Sequence, residues 1–256
     1  MKIVAPFRPF APESQAHHLL GPFNWIEALE LQRTSALFYG HCEAYAITDV
    51  DTDLPGPCYR YATAQRRLML WILEVCLKYL ESDDFDQDTA MVSPDILVYG
   101  ELQHFFEADL GIVLRVGQKF VINDRRLLNS VQFWRLSARD GLVAFYRNAL
   151  AIACRLPEAV IRWGADTEPL VELLQPLPLK ESLIERAGLT VQCIDHRRVL
   201  RSVSTVQMAR LDAGLTPEWP TTPLLDFKYL RKQKMAAFFH STIGVQILYG
   251  TQMVPS

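Results

Sequence analysis

The sequence predicts an α/β fold: a mixed, mainly parallel sheet flanked by helices. Three observations predict it. Short apolar runs alternate with longer stretches of helical period from residue 2 onward, and each early run ends in a loop rich in proline, glycine or aspartate. Half of the 256 residues are hydrophobic against 21% charged, enough for a large buried core. Strands that alternate with helices pair in parallel through right-handed crossovers, and such sheets take ligands beyond the carboxyl ends of their strands.

In order, residues 2 to 7 form a first buried strand that opens at Arg8-Pro9 into a loop. Asn24, with Glu27 three residues on, caps an amphipathic helix carrying Ala28, Leu29, Ala36 and Leu37. Residues 43 to 48 are a second strand, followed by the acidic, turn-rich loop Asp49-Val50-Asp51-Thr52-Asp53-Leu54-Pro55-Gly56-Pro57. A helix over 63 to 81 is apolar on most faces, and a third strand over 89 to 93 is stopped by Pro94. Loops 6 to 10, 48 to 57 and 93 to 95 then share the carboxyl edge of the sheet.

From residue 110 the pattern turns strand-like. Residues 112 to 116, 118 to 122 and 130 to 136 are expected as antiparallel additions, with Gly117 and Asn123-Asp124 as turns. Helices follow over 138 to 153, 166 to 174 and 179 to 187, the last stopped by Gly188. Strands over 190 to 194 and 223 to 229 and a basic helix over 231 to 240 complete one expected α/β domain, residues 1 to 243, with 244 to 256 as a tail.

Composition excludes several classes. A net charge of −3 and a pI near 6.1 supply no global positive field for nucleic acid or an anionic membrane. The pairs at Arg66-Arg67, Arg125-Arg126 and His196-Arg197-Arg198 are read as solvated surface. Five scattered cysteines without a Cys-x-x-Cys pair are expected to be reduced. The start, residues 1 to 6, lacks a signal-peptide core, and the most apolar stretch, 68 to 77, contains Glu74 and is too short for a bilayer of ~30 Å. A cytoplasmic protein with no membrane span is the expectation. Gly-x-Gly-x-x-Gly, Gly-x-x-x-x-Gly-Lys-Ser/Thr, Gly-x-Ser-x-Gly and His-Glu-x-x-His are all absent.

Four segments carry chemistry. Met91-Val92-Ser93-Pro94-Asp95-Ile96-Leu97-Val98 places an acid just after a short buried strand. Leu127-Leu128-Asn129-Ser130-Val131 enters a later strand through an Asn-Ser turn. Trp163-Gly164-Ala165-Asp166-Thr167 puts an acid at a loop-to-helix junction, and Leu225-Asp226-Phe227-Lys228-Tyr229-Leu230-Arg231-Lys232 is late and basic. Each also has a plain structural explanation: a proline turn, an Asn-Ser turn, a helix N-cap and a solvated basic helix.

In this order, across residues 2 to 240, the segments resemble the GT-A class of nucleotide-sugar-dependent glycosyltransferases. The resemblance implies a GT-A-like fold and the transfer of a sugar from a nucleotide-sugar donor. Ser93-Pro94-Asp95 would fill the slot of the Asp-x-Asp motif, with Asp95 holding a divalent cation, manganese or magnesium, and Ser93 replacing the first Asp. Asn129 and Ser130 would face the donor sugar, and Asp166 would act beside it as a candidate general base. Lys228 and Lys232, with Arg231 behind them, would close over the diphosphate; Asp226 stands where His is usual. Asp49 would meet the base or ribose, and Arg8 the nucleotide or its phosphates.

The acceptor stays open among a glycan, a protein, a small molecule and a hydroxylated DNA base. Two alternatives compete. A nucleotidyltransferase of related fold would carry a glycine-rich loop where this chain has Ala5-Pro6-Phe7-Arg8-Pro9-Phe10. In a non-catalytic α/β binding or scaffold protein, Asp95, Lys228 and Lys232 would not converge.

Overall fold

Eight strands form the central sheet of the protein, in the order β3-β2-β1-β4-β7-β6-β9-β8. They are β1 (Lys2–Pro6), β2 (Ala44–Asp49), β3 (Cys58–Tyr61), β4 (Thr89–Val92), β6 (Leu110–Leu114), β7 (Leu127–Trp134), β8 (Ser182–Arg186) and β9 (Leu189–Asp195). The computed structural model describes residues 1–9, 24–116, 126–156, 166–227 and 229–249. Strands β3, β2, β1 and β4 are mutually parallel, β7 runs against both β4 and β6, β9 is parallel to β6, and β8 is antiparallel to β9. A second sheet, β10 (Leu200–Ser202), β11 (Leu224–Asp226) and β5 (Ile96–Val98), forms beyond the carboxyl end of β4.

Side chains alternate across the main sheet, so each face has its own core. Val4, Met91, Ile112 and Trp134 face a layer made by α2 (Leu68–Glu81), α3 (Arg139–Ala153) and α4 (Thr167–Leu174), where Trp71, Tyr79 and Tyr146 are fully buried. Ile3, Ala90, Val92 and Phe133 face the other way, toward β5 and α1 (Trp25–Tyr39). Removing a buried aromatic such as Trp134 would cost about 3–5 kcal/mol. Asn24 caps α1 by accepting from Glu27 N at 3.1 Å, as its spacing predicts. Only glycine fits at the C-cap of this helix, Gly40, because a Cβ there would stand 2.9 Å from both the Ala36 carbonyl and Val98 Cγ1.

Several expectations need correction. Residues 179 to 187 contain no helix: β8 pairs with β9 through a two-residue turn in which Ala187 (φ 51°) and Gly188 (φ 78°) are both left-handed. That backbone closes a hairpin rather than a helix. The helix expected from residue 63 starts at Leu68, because the Ala64 and Gln65 amides are bound by Glu74. Residues 58–61, not anticipated, form the edge strand β3. Strand β7 begins at Leu127 and not at Ser130. The basic segment is a 3-10 helix, Tyr229–Lys234, that leads into α7 (Met235–Tyr249), longer than the helix expected to end at His240. The strand expected over 118 to 122 lies outside the described residues.

The remaining helices, α5 (His196–Val199) and α6 (Thr205–Asp212), bracket β10. All five cysteines are free, three of them buried. Among the described residues no helix is long and apolar enough to cross a membrane.

Candidate active site

Pro94 ends β4, and the chain turns at once, with Ile96 N donating to the Ser93 carbonyl at 3.1 Å. Two neighbours lock this turn. Ser93 N donates to the Ser130 carbonyl on β7 at 2.8 Å, and the buried Gln32 side chain on α1 donates to the Ser93 and Ile96 carbonyls at 2.6 and 3.1 Å. Asp95 therefore has little freedom. Its Oδ1 accepts from Ser93 Oγ at 2.6 Å, and its Oδ2 is ion-paired with Lys232 Nζ.

Lys232 arrives there through β11, which pairs with β5 so that Asp226 lies opposite Ile96 and Phe227 N reaches the Asp95 carbonyl at 3.2 Å. The 3-10 helix that follows carries Lys232 back over the turn. Its side chain is only 6% exposed, and its ammonium stands 4.3 Å from the centre of the Trp25 ring, within cation–π range.

The donor set around Asp95 suits an ammonium better than a hard divalent cation. Such a cation binds through one or two protein carboxylates together with substrate phosphate oxygens and water, and needs a carboxylate oxygen that is not already engaged. Here one carboxylate oxygen accepts a hydroxyl proton and the other holds Lys232. Among the described residues, no three or more His, Cys, Asp and Glu side chains converge as a metal site. A divalent ion does not fit this arrangement as it stands.

Arg8 and Asp49 extend from the ends of the neighbouring strands β1 and β2 and approach to 4.0 Å. Arg8 also donates to the Gln65 carbonyl at 3.3 Å and to the Arg66 carbonyl, and it lies over the Trp71 ring at 5.4 Å. Glu74 organises this cradle. Its buried carboxylate accepts from Ala64 N at 2.9 and 3.0 Å and from Gln65 N at 2.8 Å, which fixes the peptide whose carbonyls receive Arg8.

The third pair, Asn129 and Asp166, depends on a bulge. Opposite one step of β6, from Ile112 to Val113, the pairing on β7 jumps from Gln132 to Leu128, and the intervening residues swing out of register. Asn129 Nδ2 then donates to Asp166 Oδ2 at 2.5 Å. Behind it, Gln132 Nε2 donates to Asn129 Oδ1 while its side-chain oxygen Oε1 accepts from Trp134 Nε1 at 3.1 Å and Tyr146 OH at 2.8 Å. Asp166 does not cap α4 with its side chain. Burial pushes its pKa up, opposed by the Asn129 hydrogen bond.

The predicted residues thus fall into three contacts: Asp95 with Lys232, Arg8 with Asp49, and Asn129 with Asp166. Ser130 joins through its backbone carbonyl. Lys228 and the side chain of Arg231 lie outside the described residues. Gln32, Glu74 and Trp25 were not anticipated, although a glutamate inside the apolar run 68 to 77 is a signal of a buried acceptor. Farther along the same edge, at the ends of β6 and β9, a cavity of 520 Å³ is walled by Arg115, His196, Arg197, Arg201 and Ser202.

This architecture is the GT-A-like α/β fold expected from the sequence, a mainly parallel sheet between helices. No family model and no curated protein matches the chain. Among solved structures it is similar to a glycosyltransferase involved in glycosylation of the major capsid of PBCV-1. The TM-score is 0.54 and the identity 9%, over 94% of this chain and 98% of that one. It is also similar to the apo form of the glycosyltransferase GlyE of Streptococcus pneumoniae TIGR4, with TM-score 0.53 and 13% identity, over 100% of this chain and 64% of GlyE.

Proposed function

We propose that this protein is a glycosyltransferase that moves a sugar from a nucleotide-sugar donor to an acceptor hydroxyl. The observation that carries this is the Asp95–Lys232 contact at the end of a parallel strand. Desolvating a carboxylate and an ammonium costs roughly several kcal/mol per ion. Such a pair adds little net stability, which fits a role in binding, and the fold shared with two glycosyltransferases points the same way.

In this reading Arg8 and Asp49 hold the nucleoside end of the donor. Lys232, with Lys228 and Arg231 from the same segment, meets the diphosphate, while Asn129 and Ser130 face the sugar. Asp166 takes the acceptor's proton as the new glycosidic bond forms, and a carboxylate whose pKa is raised by burial is a better base for that step. The arginine-walled cavity offers the acceptor a place on the same edge.

The test is release of nucleoside diphosphate from a panel of UDP-, GDP- and ADP-sugars, with and without manganese. One donor is expected to turn over, and Asp166→Asn to slow it by about 10²–10⁴, the usual contribution of a general base. No turnover of any donor, together with no stabilisation by any nucleotide, would remove the proposal.

A further inference from the structure

We infer that Gln132, a core residue of β7, sets the ionisation of Asp166 through Asn129 and so acts as a positioning residue for the base; its part in sugar transfer rests on the role proposed for Asp166 above. The indole of Trp134 can only donate, so the Gln132 atom that faces Trp134 Nε1 at 3.1 Å must be the side-chain oxygen. Tyr146 OH donates to the same oxygen at 2.8 Å. The Gln132 amide nitrogen is thereby turned toward Asn129, where it donates to Oδ1. With that oxygen taken, Asn129 presents its Nδ2 to Asp166 and donates to Oδ2 at 2.5 Å. The direction of every bond in the chain is therefore fixed by a fully buried indole in the core.

A donor that cannot turn round favours the carboxylate over the acid. Asp166 depends on it, because burial opposes ionisation there. The titratable groups that face Asp166 are the Cys76 thiol on α2 and the Tyr146 hydroxyl on α3, and burial holds the pKa of each up and keeps both neutral. The backbone amides of Asp166 and Thr167 act on the same side as Asn129. Since Oδ2 accepts from Asn129, an arriving proton is received on Oδ1. In the transfer step the acceptor oxygen forms its bond to the sugar C1. The bond from C1 to the diphosphate oxygen breaks with its electron pair on that oxygen, and the hydroxyl proton passes to Oδ1.

The experiment uses the full chain and follows the Asp166 carboxyl by carbon NMR across a pH series, its signal assigned by its loss in Asp166→Asn. Asn129→Leu removes the donor, and Asp166 is expected to titrate about one to two pH units higher, the worth of a hydrogen bond to a charged group. Gln132→Met leaves Asn129 in place but free to turn, and a rise of about one pH unit is expected. Adding Gln132→Met to Asn129→Leu is expected to move the titration no further, whereas a general loosening of the core would add to it. Gln132→Met also strands Trp134 Nε1 and risks misfolding, so the wild type supplies a second reading: the side-chain amide protons of Asn129 and Gln132 are expected to shift with pH at the Asp166 midpoint. An unchanged titration in either single variant, an additive double variant, or Gln132 amide protons that ignore the Asp166 midpoint would each overturn the inference. Transfer is read separately on the panel of nucleotide sugars. No turnover there, with the titrations as expected, would remove the role of Asp166 as base and leave the hold of Gln132 on its ionisation standing.

Discussion

Asn129 donates its side-chain amide to Asp166 at 2.5 Å, across a gap that only the bulge in β7 closes. The bond favours the carboxylate, yet burial outweighs it and the pKa of Asp166 is raised. The fold therefore strains against ionising a group that glycosyl transfer would need ionised.

The sign of the pH dependence follows. Because the folded pKa lies above the unfolded value of about 3.9, the protonated form is favoured in the fold. That stability is present below the unfolded pKa and is lost as pH rises through the raised folded value. Asp166→Asn mimics the protonated group, so its melting temperature should match wild type in acid and exceed it increasingly above the ordinary carboxylate range. Calorimetry across a pH series checks this. A difference that does not change with pH would contradict it.

Glu74 links the core to the Arg8 cradle. Glu74→Ala leaves the Ala64 and Gln65 amides without their acceptor, at about 1–3 kcal/mol of stability. It also frees the peptide whose carbonyls orient Arg8, so binding of the nucleotide should weaken by more than the change in fraction folded explains. Urea denaturation alongside nucleotide titration separates the two effects, and unchanged affinity in folded variant protein would break the link.

Gln32 does the same for the Asp95 turn from the other face of the sheet. Gln32→Leu keeps the volume but removes the side-chain donor to the Ile96 carbonyl and one of the two donors to the Ser93 carbonyl, again about 1–3 kcal/mol, read as a lower denaturation midpoint. Amide exchange should rise at Ile96, whose N–H closes the turn, and stay unchanged at the Ala187-Gly188 hairpin.

What could be read from the sequence was the part set by local pattern. The apolar runs at 2 to 6 and 89 to 92, the Asn24 cap and the proline stop at Pro94 are short-range signals, and they placed Arg8, Asp49 and Asp95 on one edge. The Asn129–Asp166 contact was not legible, because it depends on a bulge created by pairing with β6 and β4. Arg126 shows the limit on charge patterns: read as solvated, it is buried and donates to the Leu177 and Pro178 carbonyls at 3.0 and 2.9 Å. The hairpin was misread as a helix for a related reason. Gly188 suits a helix C-cap and a hairpin turn alike, and only the pairing of β8 with β9 decides between them.

That hairpin gives the last prediction. Its two turn residues are both left-handed, which suits Gly188 but strains Ala187, whose Cβ crowds the following carbonyl at about 1–2 kcal/mol. Asn tolerates this conformation and Asn-Gly is the favoured pair for such a turn. Ala187→Asn should therefore stabilise the protein by up to about 1 kcal/mol, or roughly 2–4 °C for a chain of this size. Gly188→Ala tests the same backbone from the other side. No atom lies within 4 Å of a Cβ at that position, so any loss reflects conformation and not a clash. A loss of about 1–2 kcal/mol is expected there. A neutral Gly188→Ala together with a destabilising Ala187→Asn would mean that this segment does not close as a two-residue hairpin.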